Sequence, residues 1–176
     1  MKRFRASEDG NVTIEFVLVF PVFMLFFLMT YESGIMSLRH VMLERGVDIA
    51  VRDVRIGTIA NPTRENLRDR ICEVAAIIPD CTNQLELEMV RRNPRSWTQM
   101  SNVIRCIDRD AEVQPVVQFT NGTSNELLIL RVCARFDPVL PTTGLGKAVA
   151  ESNDNPAAKG SYALVTTAAF VIEPFQ

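Results

Sequence analysis

The order of apolar and polar positions divides this chain into two parts. Residues 16–31, FVLVFPVFMLFFLMTY, carry no charged side chain, and residues 12–15 extend this stretch with Glu15 as its one charge. Because an α-helix rises about 1.5 Å per residue, a helix over residues 12–31 covers roughly 30 Å, the thickness of a bilayer core. The stretch therefore predicts a transmembrane helix.

Residues 34–56 keep a helical period but add charges. Apolar side chains recur near one stripe, and the charged side chains, Arg39 among them, are placed elsewhere on the helix. The apolar positions are Ile35, Leu38, Met42 and Ile49, with Val47, Val51 and Val54 beside them. The pattern predicts one first helix of about 45 residues that continues out of the membrane and stops at Gly57.

A second helix is predicted shortly after Gly57. Asn61 is the expected N-cap and Pro62 the first helical residue. The helix is expected to run to about Ile78, because Pro79 disfavours helical geometry in the residue before it. The apolar face of this helix contains Leu67, Ile71, Ala75 and Ile78.

The rest of the chain predicts strands. Alternation of apolar and polar side chains, or strong β-propensity, marks residues 84–90, 113–119, 126–136 and 162–172. These strands fit an antiparallel sheet with one face covered by the helices. The expected fold class is α+β, with a long amino-terminal transmembrane and amphipathic helix, a second helix and a small antiparallel β-sheet head.

Composition excludes several functions. The net charge of −2 gives no electrostatic argument for nucleic acid, and His40 is the only histidine. The sequence TTGLGK at 142–147 lacks the glycine that a phosphate-binding loop needs at position 141 and the hydroxyl residue after Lys147. Neither a catalytic arrangement nor a metal site is found, so we expect no enzyme activity, no cofactor and no small-molecule substrate.

The residues that flank the apolar stretch predict its orientation. Lys2, Arg3 and Arg5 precede it, and Glu32 is the first charge after it. The positive-inside rule then places the amino terminus in the cytoplasm and the rest of the chain outside. A cleaved signal peptide would end in small residues of the A-x-A type, and no such site follows the stretch. We therefore expect a retained helix.

Four cysteines follow the predicted membrane helix. An oxidising compartment would make them structural, and they would form two disulfides. The favoured pairs are Cys72–Cys81, around Pro79, and Cys106–Cys133, although the sequence allows three connectivities.

Glu15 needs an explanation, since an acidic residue at mid-membrane costs about 2.5–3.5 kcal/mol. In one interpretation it only reaches the membrane surface, and the span begins at residue 16. The surrounding residues suggest another. Gly10 precedes Asn11, Glu15 and Phe16 are the fifth and sixth residues after Gly10, and a basic leader comes before them.

This arrangement resembles the processing site of type IV pilin-like proteins, in which a membrane prepilin peptidase cuts after the glycine. With Pro21 a few residues on, it is most similar to the minor pseudopilins of the tight-adherence (Tad, or Flp) pilus, of the TadE/TadF type. Glu8 and Asp9 depart from the pattern because they make the leader less basic.

The resemblance implies cleavage between Gly10 and Asn11, and a role for Glu15 and Phe16 in processing and assembly. Pro21 is either a flexible kink used during extraction from the membrane or a proline that the helix tolerates. The implied partners are the membrane, a prepilin peptidase, other pilins or pseudopilins and the pilus assembly platform.

The implied protein is a single-pass bacterial inner-membrane protein with a periplasmic head. Its regions would be a leader at 1–10, a span at 11–32, a helical extension at 33–60 and a head at 61–176. The alternative is a permanently anchored periplasmic binding or sensor domain that is not cleaved. The choice between TadE-like and TadF-like roles stays open.

Overall fold

The first element of the fold is one long helix. The computed structural model describes residues 11–109, 111, 114, 116–151 and 160–174. Helix α1 is continuous over Asn11–Arg55. Gly57 follows in a left-handed conformation, φ 79°, and its amide donates to the carbonyl of Val54. The predicted long helix and its stop at Gly57 are therefore confirmed.

The half of α1 that packs on the head buries a different stripe from the predicted one. The buried series is Glu32, Met36, Arg39, Leu43, Val47, Ala50 and Val54, with Met36 only partly covered. Leu38 is instead 43% exposed. Ile35, Leu38, Met42 and Ile49 each precede a position of this series by one residue, whereas the three valines predicted beside them are themselves buried. The centre of the predicted stripe was therefore wrong by one residue, and Arg39 lies on the buried face.

Helix α2 covers Arg64–Val74, and its predicted limits were wrong. Thr63 is the N-cap, and its hydroxyl accepts a hydrogen bond from the amide of Asn66 at 3.2 Å. The helix ends before Ala75, where the chain turns. The turn leads to the short helix α3 at Cys81–Gln84. The predicted apolar face of α2 and the turn after it, from Leu67 to Ile78, is buried as expected.

The turn after α2 is closed by a disulfide between Cys72 and Cys81, with Cα atoms 5.6 Å apart. A second disulfide joins Cys106 to Cys133, with Cα atoms 5.3 Å apart. These are the two pairs that the sequence favoured.

Three antiparallel strands form the sheet, in the order β1-β2-β3. They are β1 at Leu85–Arg92, β2 at Leu127–Phe136 and β3 at Tyr162–Val171. No strand forms in the described part of residues 113–119, and positions 113 and 115 lie outside the described residues. There Phe119 makes only an isolated parallel bridge to Met89. The fourth strand was wrong, and the α+β class is confirmed.

The two faces of the sheet are covered differently. Leu128, Leu130, Val132, Ala134 and Phe136 are buried on the inner face, in one core with α1 and α2. Cys133 points to the outer face, where its disulfide fastens the long connection between β1 and β2. A further helix, α4 at Gly144–Glu151, packs beside α1 and was not predicted.

Candidate functional site

The first part of α1 presents an apolar surface on all sides. Val12, Phe16, Val19, Phe20 and Phe23 are exposed, and with Glu15 they line one shallow groove along the helix. The rings of Phe16 and Phe20 stack with centroids 4.9 Å apart. Glu15 therefore stands among exposed aromatic side chains, on a surface that suits lipid or another apolar helix.

The predicted processing residues lie at the start of this surface. Gly10 and the leader are outside the described residues, and Asn11 is the first residue of α1. Glu15 follows Asn11 by four residues, so the two lie on one helix face a turn apart. Pro21 lies inside the continuous helix, where it offers no amide to the carbonyl of Val17.

Glu32, at the end of the apolar stretch, is fully buried, with 0% of its surface exposed. One carboxylate oxygen accepts a hydrogen bond from the amide of Val139, and the other accepts one from Leu140, both at 2.9 Å. Hydrogen bonds to a charged acceptor are stronger than neutral ones, so two of them offset much of the cost of burying the carboxylate.

Arg39 lies two helical turns further along the same face and is 9% exposed. It donates one hydrogen bond to the carbonyl of Asp137 at 2.9 Å and another to the hydroxyl of Tyr162 at 2.8 Å. Its guanidinium carbon lies 5.2 Å from the centroid of the Phe136 ring, within the range of a cation–π contact.

Glu32 and Arg39 thus hold the segment that leaves β2, and we call these two side chains with their partners the clamp. Its partners are Phe136, Asp137, Val139, Leu140 and Tyr162. The clamp joins the end of the apolar stretch directly to the sheet.

Sequence reasoning missed the clamp. It took Glu32 as the charge that ends the span, and it placed Arg39 away from the apolar stripe. The signal was present in the spacing: steps of three and four residues back from Val54 pass through Leu43 and reach Arg39 and then Glu32. Two ionisable residues on a buried stripe indicate specific polar partners.

Tyr162 is the clamp residue with a shifted pKa. Burial raises the pKa of its hydroxyl above the ordinary value, and the hydrogen bond from Arg39 opposes this only in part. The neutral hydroxyl is therefore the form that accepts from Arg39.

The arrangement of titratable side chains in the head decides whether it could bind a metal ion. Among the described residues, no group of three or more histidine, cysteine, aspartate or glutamate side chains is arranged to hold a metal ion. A small cavity of about 140 Å³ beside the clamp is lined by Arg39, Arg109 and Arg135 together with Asp80 and Asp137. Arg109 already pairs with Asp137, and Arg39 is bonded within the clamp.

These features define a protein with a single amino-terminal helix suited to cross a membrane and a disulfide-linked α+β head. Among the described residues, α1 is the one helix long and apolar enough to span a bilayer. Residues 10–52 match the family model described as TadE-like protein, and the resemblance to TadE-like proteins is confirmed over this part of the chain. The match begins at Gly10, contains Glu15 and the clamp residues of α1, and leaves out the sheet.

The TadE-like family belongs to the Tad pilus system and is of a structural, non-enzymatic kind. No curated protein and no solved structure matches the chain.

Proposed function

We propose that this protein is a minor pseudopilin that is cut between Gly10 and Asn11 by a prepilin peptidase and acts in assembly of a Tad pilus. The observation that carries the proposal is the TadE-like match, which begins at the glycine of the expected cut and covers the apolar part of α1. The leader would face the cytoplasm, and the head would lie in the periplasm of a bacterial inner-membrane protein.

The proposed cut would create a partner for the carboxylate of Glu15. Cleavage creates an ammonium group on Asn11, one helical turn from Glu15. A neighbouring subunit shifted along the axis of an assembly would bring its own Asn11 amine to this carboxylate. At about 4 Å and an effective dielectric near 20, such a pair contributes roughly 4 kcal/mol, comparable with the cost of placing the carboxylate in the membrane.

The exposed aromatic surface around Glu15 supports the same function. Phe16, Phe20 and Phe23 are exposed, so they are available to pack against the span of a neighbouring pilin. The clamp would make the head follow any movement of α1 along the membrane normal. Pilins and the assembly platform are the proposed partners, and the role is structural.

The amino-terminal sequence of the protein extracted from membranes tests the cut. Mass spectrometry should find Asn11 as the first residue in cells that have the prepilin peptidase, and Met1 in cells that lack it. Met1 in both strains would contradict the proposal and favour a permanently anchored binding or sensor domain.

Glu15→Ala tests the proposed pairing. We expect this variant to be cut normally but to form few or no Tad pili, because the Asn11 amine loses its carboxylate partner. Glu44→Ala is the matched control, since Glu44 is an exposed glutamate further along the same helix. Normal pilus formation by the Glu15→Ala variant would contradict the proposed role of Glu15 in assembly.

A further inference from the structure

One segment of the head contacts α1 where the apolar stretch of that helix ends. We propose that the uncharged segment Pro138–Gly146, which we call the base, is inserted in the outer headgroup region of the bilayer that α1 crosses. The partner is lipid, and the protein is therefore attached to its membrane at two points. This inference needs α1 to span a membrane, but it does not depend on cleavage or on pilus assembly.

The clamp determines where the base lies along the axis of α1. The amides of Val139 and Leu140 each lie 2.9 Å from a carboxylate oxygen of Glu32, the first charged residue after the apolar stretch. Side chains on an α-helix lean towards its amino terminus. The Glu32 carboxylate therefore lies over the preceding turn, inside the apolar stretch, and brings these two residues to that level.

A second contact places the base at the same height. Gly144 packs so closely on α1 that an added Cβ would lie 2.9 Å from the terminal methyl carbon of Met29. Met29 is three residues before Glu32, which is about 4.5 Å along the helix axis. The base therefore extends about 4.5 Å below Glu32 along the helix axis. This is close to the depth of about 5–10 Å to which interfacial helices bury their apolar faces in the headgroup and acyl boundary.

The composition of the base suits the headgroup region. No charged side chain occurs from Pro138 to Gly146, and the first charge after this segment is Lys147. Val139 is 42% exposed although it is apolar, and Pro141 and Thr142 are also exposed. Tyr31, half exposed on α1 at the same level, is a residue type that concentrates at membrane surfaces.

The position of these residues beside α1 indicates that their partner is lipid. Any surface that touches α1 between Met29 and Glu32 lies where a bilayer surrounds the helix. The opposite end of the head lies far from the bilayer, because it contacts the last residue of α1. There the amide of Glu173 donates to the carbonyl of Arg55. Arg55 is 23 residues beyond Glu32, roughly 35 Å along the axis.

Tryptophan fluorescence in brominated lipid tests the proposal. The full chain would carry Trp97→Phe, so that an introduced indole is the sole reporter, and would be reconstituted in phosphatidylcholine vesicles brominated on the upper part of the acyl chains. Val139→Trp is the test variant. Val171→Trp is its matched control, because Val171 is also 42% exposed but lies at the far end of β3.

We expect Val139→Trp to emit at shorter wavelength than Val171→Trp and to lose most of its emission in brominated lipid, while the control is unchanged. Thr142→Trp provides a second reporter in the base at an exposed position, in case Val139→Trp perturbs folding. Equal, weak quenching at positions 139, 142 and 171 would overturn the proposal. A blue-shifted but unquenched indole in the base would also overturn it and would indicate that protein, such as a second copy, covers this surface.

Discussion

Residues 12–31 and residues 32–55 belong to one continuous helix, but they bury their side chains against different surroundings. In the first part, apolar side chains point outward on every side of α1, and none from Val12 to Val22 is buried. In the second part, one stripe is buried against α2 and the sheet, and the opposite side is charged.

One continuous helix therefore lies in two environments, lipid in its first part and the protein core in its second. A helix that is apolar all round suits lipid, whereas an amphipathic helix suits the surface of a protein core. The change occurs between Met29 and Glu32, where the head begins to cover the helix. The predictions below separate the two parts, from the largest expected effect to the smallest.

The largest difference is expected between two leucines of α1. Leu43→Ala should lower the free energy of unfolding of the head by about 2–5 kcal/mol, because Leu43 is fully buried in the core. Leu25→Ala should leave it within about 0.5 kcal/mol, since Leu25 is exposed on the lipid-facing part. Urea unfolding of the full chain in detergent micelles, followed by circular dichroism, measures both. Equal losses would mean that the head also packs on Leu25.

Two glutamates on α1 provide the next comparison. Glu32→Ala leaves the partly buried amides of Val139 and Leu140 without their acceptor, and we expect a loss of about 1–3 kcal/mol in all. Glu15→Ala should not change the stability of the head, because Glu15 is exposed and lies in a groove formed by the first part of α1.

The same urea titration distinguishes the two glutamate variants, and Glu32→Gln should retain part of the lost stability because its amide oxygen still accepts. A Glu32→Ala protein as stable as the unsubstituted chain would mean that the clamp does not hold the base.

Two glycines of α1 should respond with opposite sign. An added Cβ at Gly46 would lie 2.9 Å from the carbonyl oxygen of Ile71, so α1 and α2 must move apart. We expect Gly46→Ala to destabilise the head by about 1–3 kcal/mol. At Gly34 no atom lies within 4 Å of an added Cβ, so Gly34→Ala should stabilise by up to about 1 kcal/mol through helix propensity. Thermal unfolding of both variants checks the sign, and two stabilising substitutions would contradict the close contact of α1 with α2.

The smallest expected effect is a pH dependence from the clamp. Burial raises the pKa of Tyr162 in the folded head, so the unfolded chain loses this proton first as the pH rises. Its contribution to stability is therefore complete below the ordinary tyrosine pKa of about 10 and is lost as the pH rises through the folded value. Urea midpoints measured between about pH 9 and pH 11 should fall less steeply in Tyr162→Phe than in the unsubstituted chain. Identical slopes would show that Tyr162 does not contribute to the alkaline loss.

The sequence was sufficient for features that depend on local periodicity. The uncharged run at 16–31 and the glycine at 57 predicted the long helix and its end. Alternation from Leu128 to Phe136 predicted the central strand and its buried side. These signals repeat over several residues, so one exception does not hide them.

The errors occurred where a single residue decides the outcome. Asn61 and Thr63 are both acceptable N-caps, and the folded chain uses Thr63, with Pro62 and Leu67 buried on either side of it. Residues 113–119 had enough apolar character for a strand, but among the described residues there only Phe119 bridges to Met89 of β1.

The sequence by itself determined that the chain carries a membrane-type helix, an amino-terminal stretch that resembles TadE-like proteins, and an α+β head with four cysteines. Only the tertiary structure decided what Glu32 and Arg39 do. Their partners at 137–140 and 162 are about one hundred residues away in the chain. Helical period shows which residues share a face, but the burial of a charge depends on whether folding brings donors and acceptors to it.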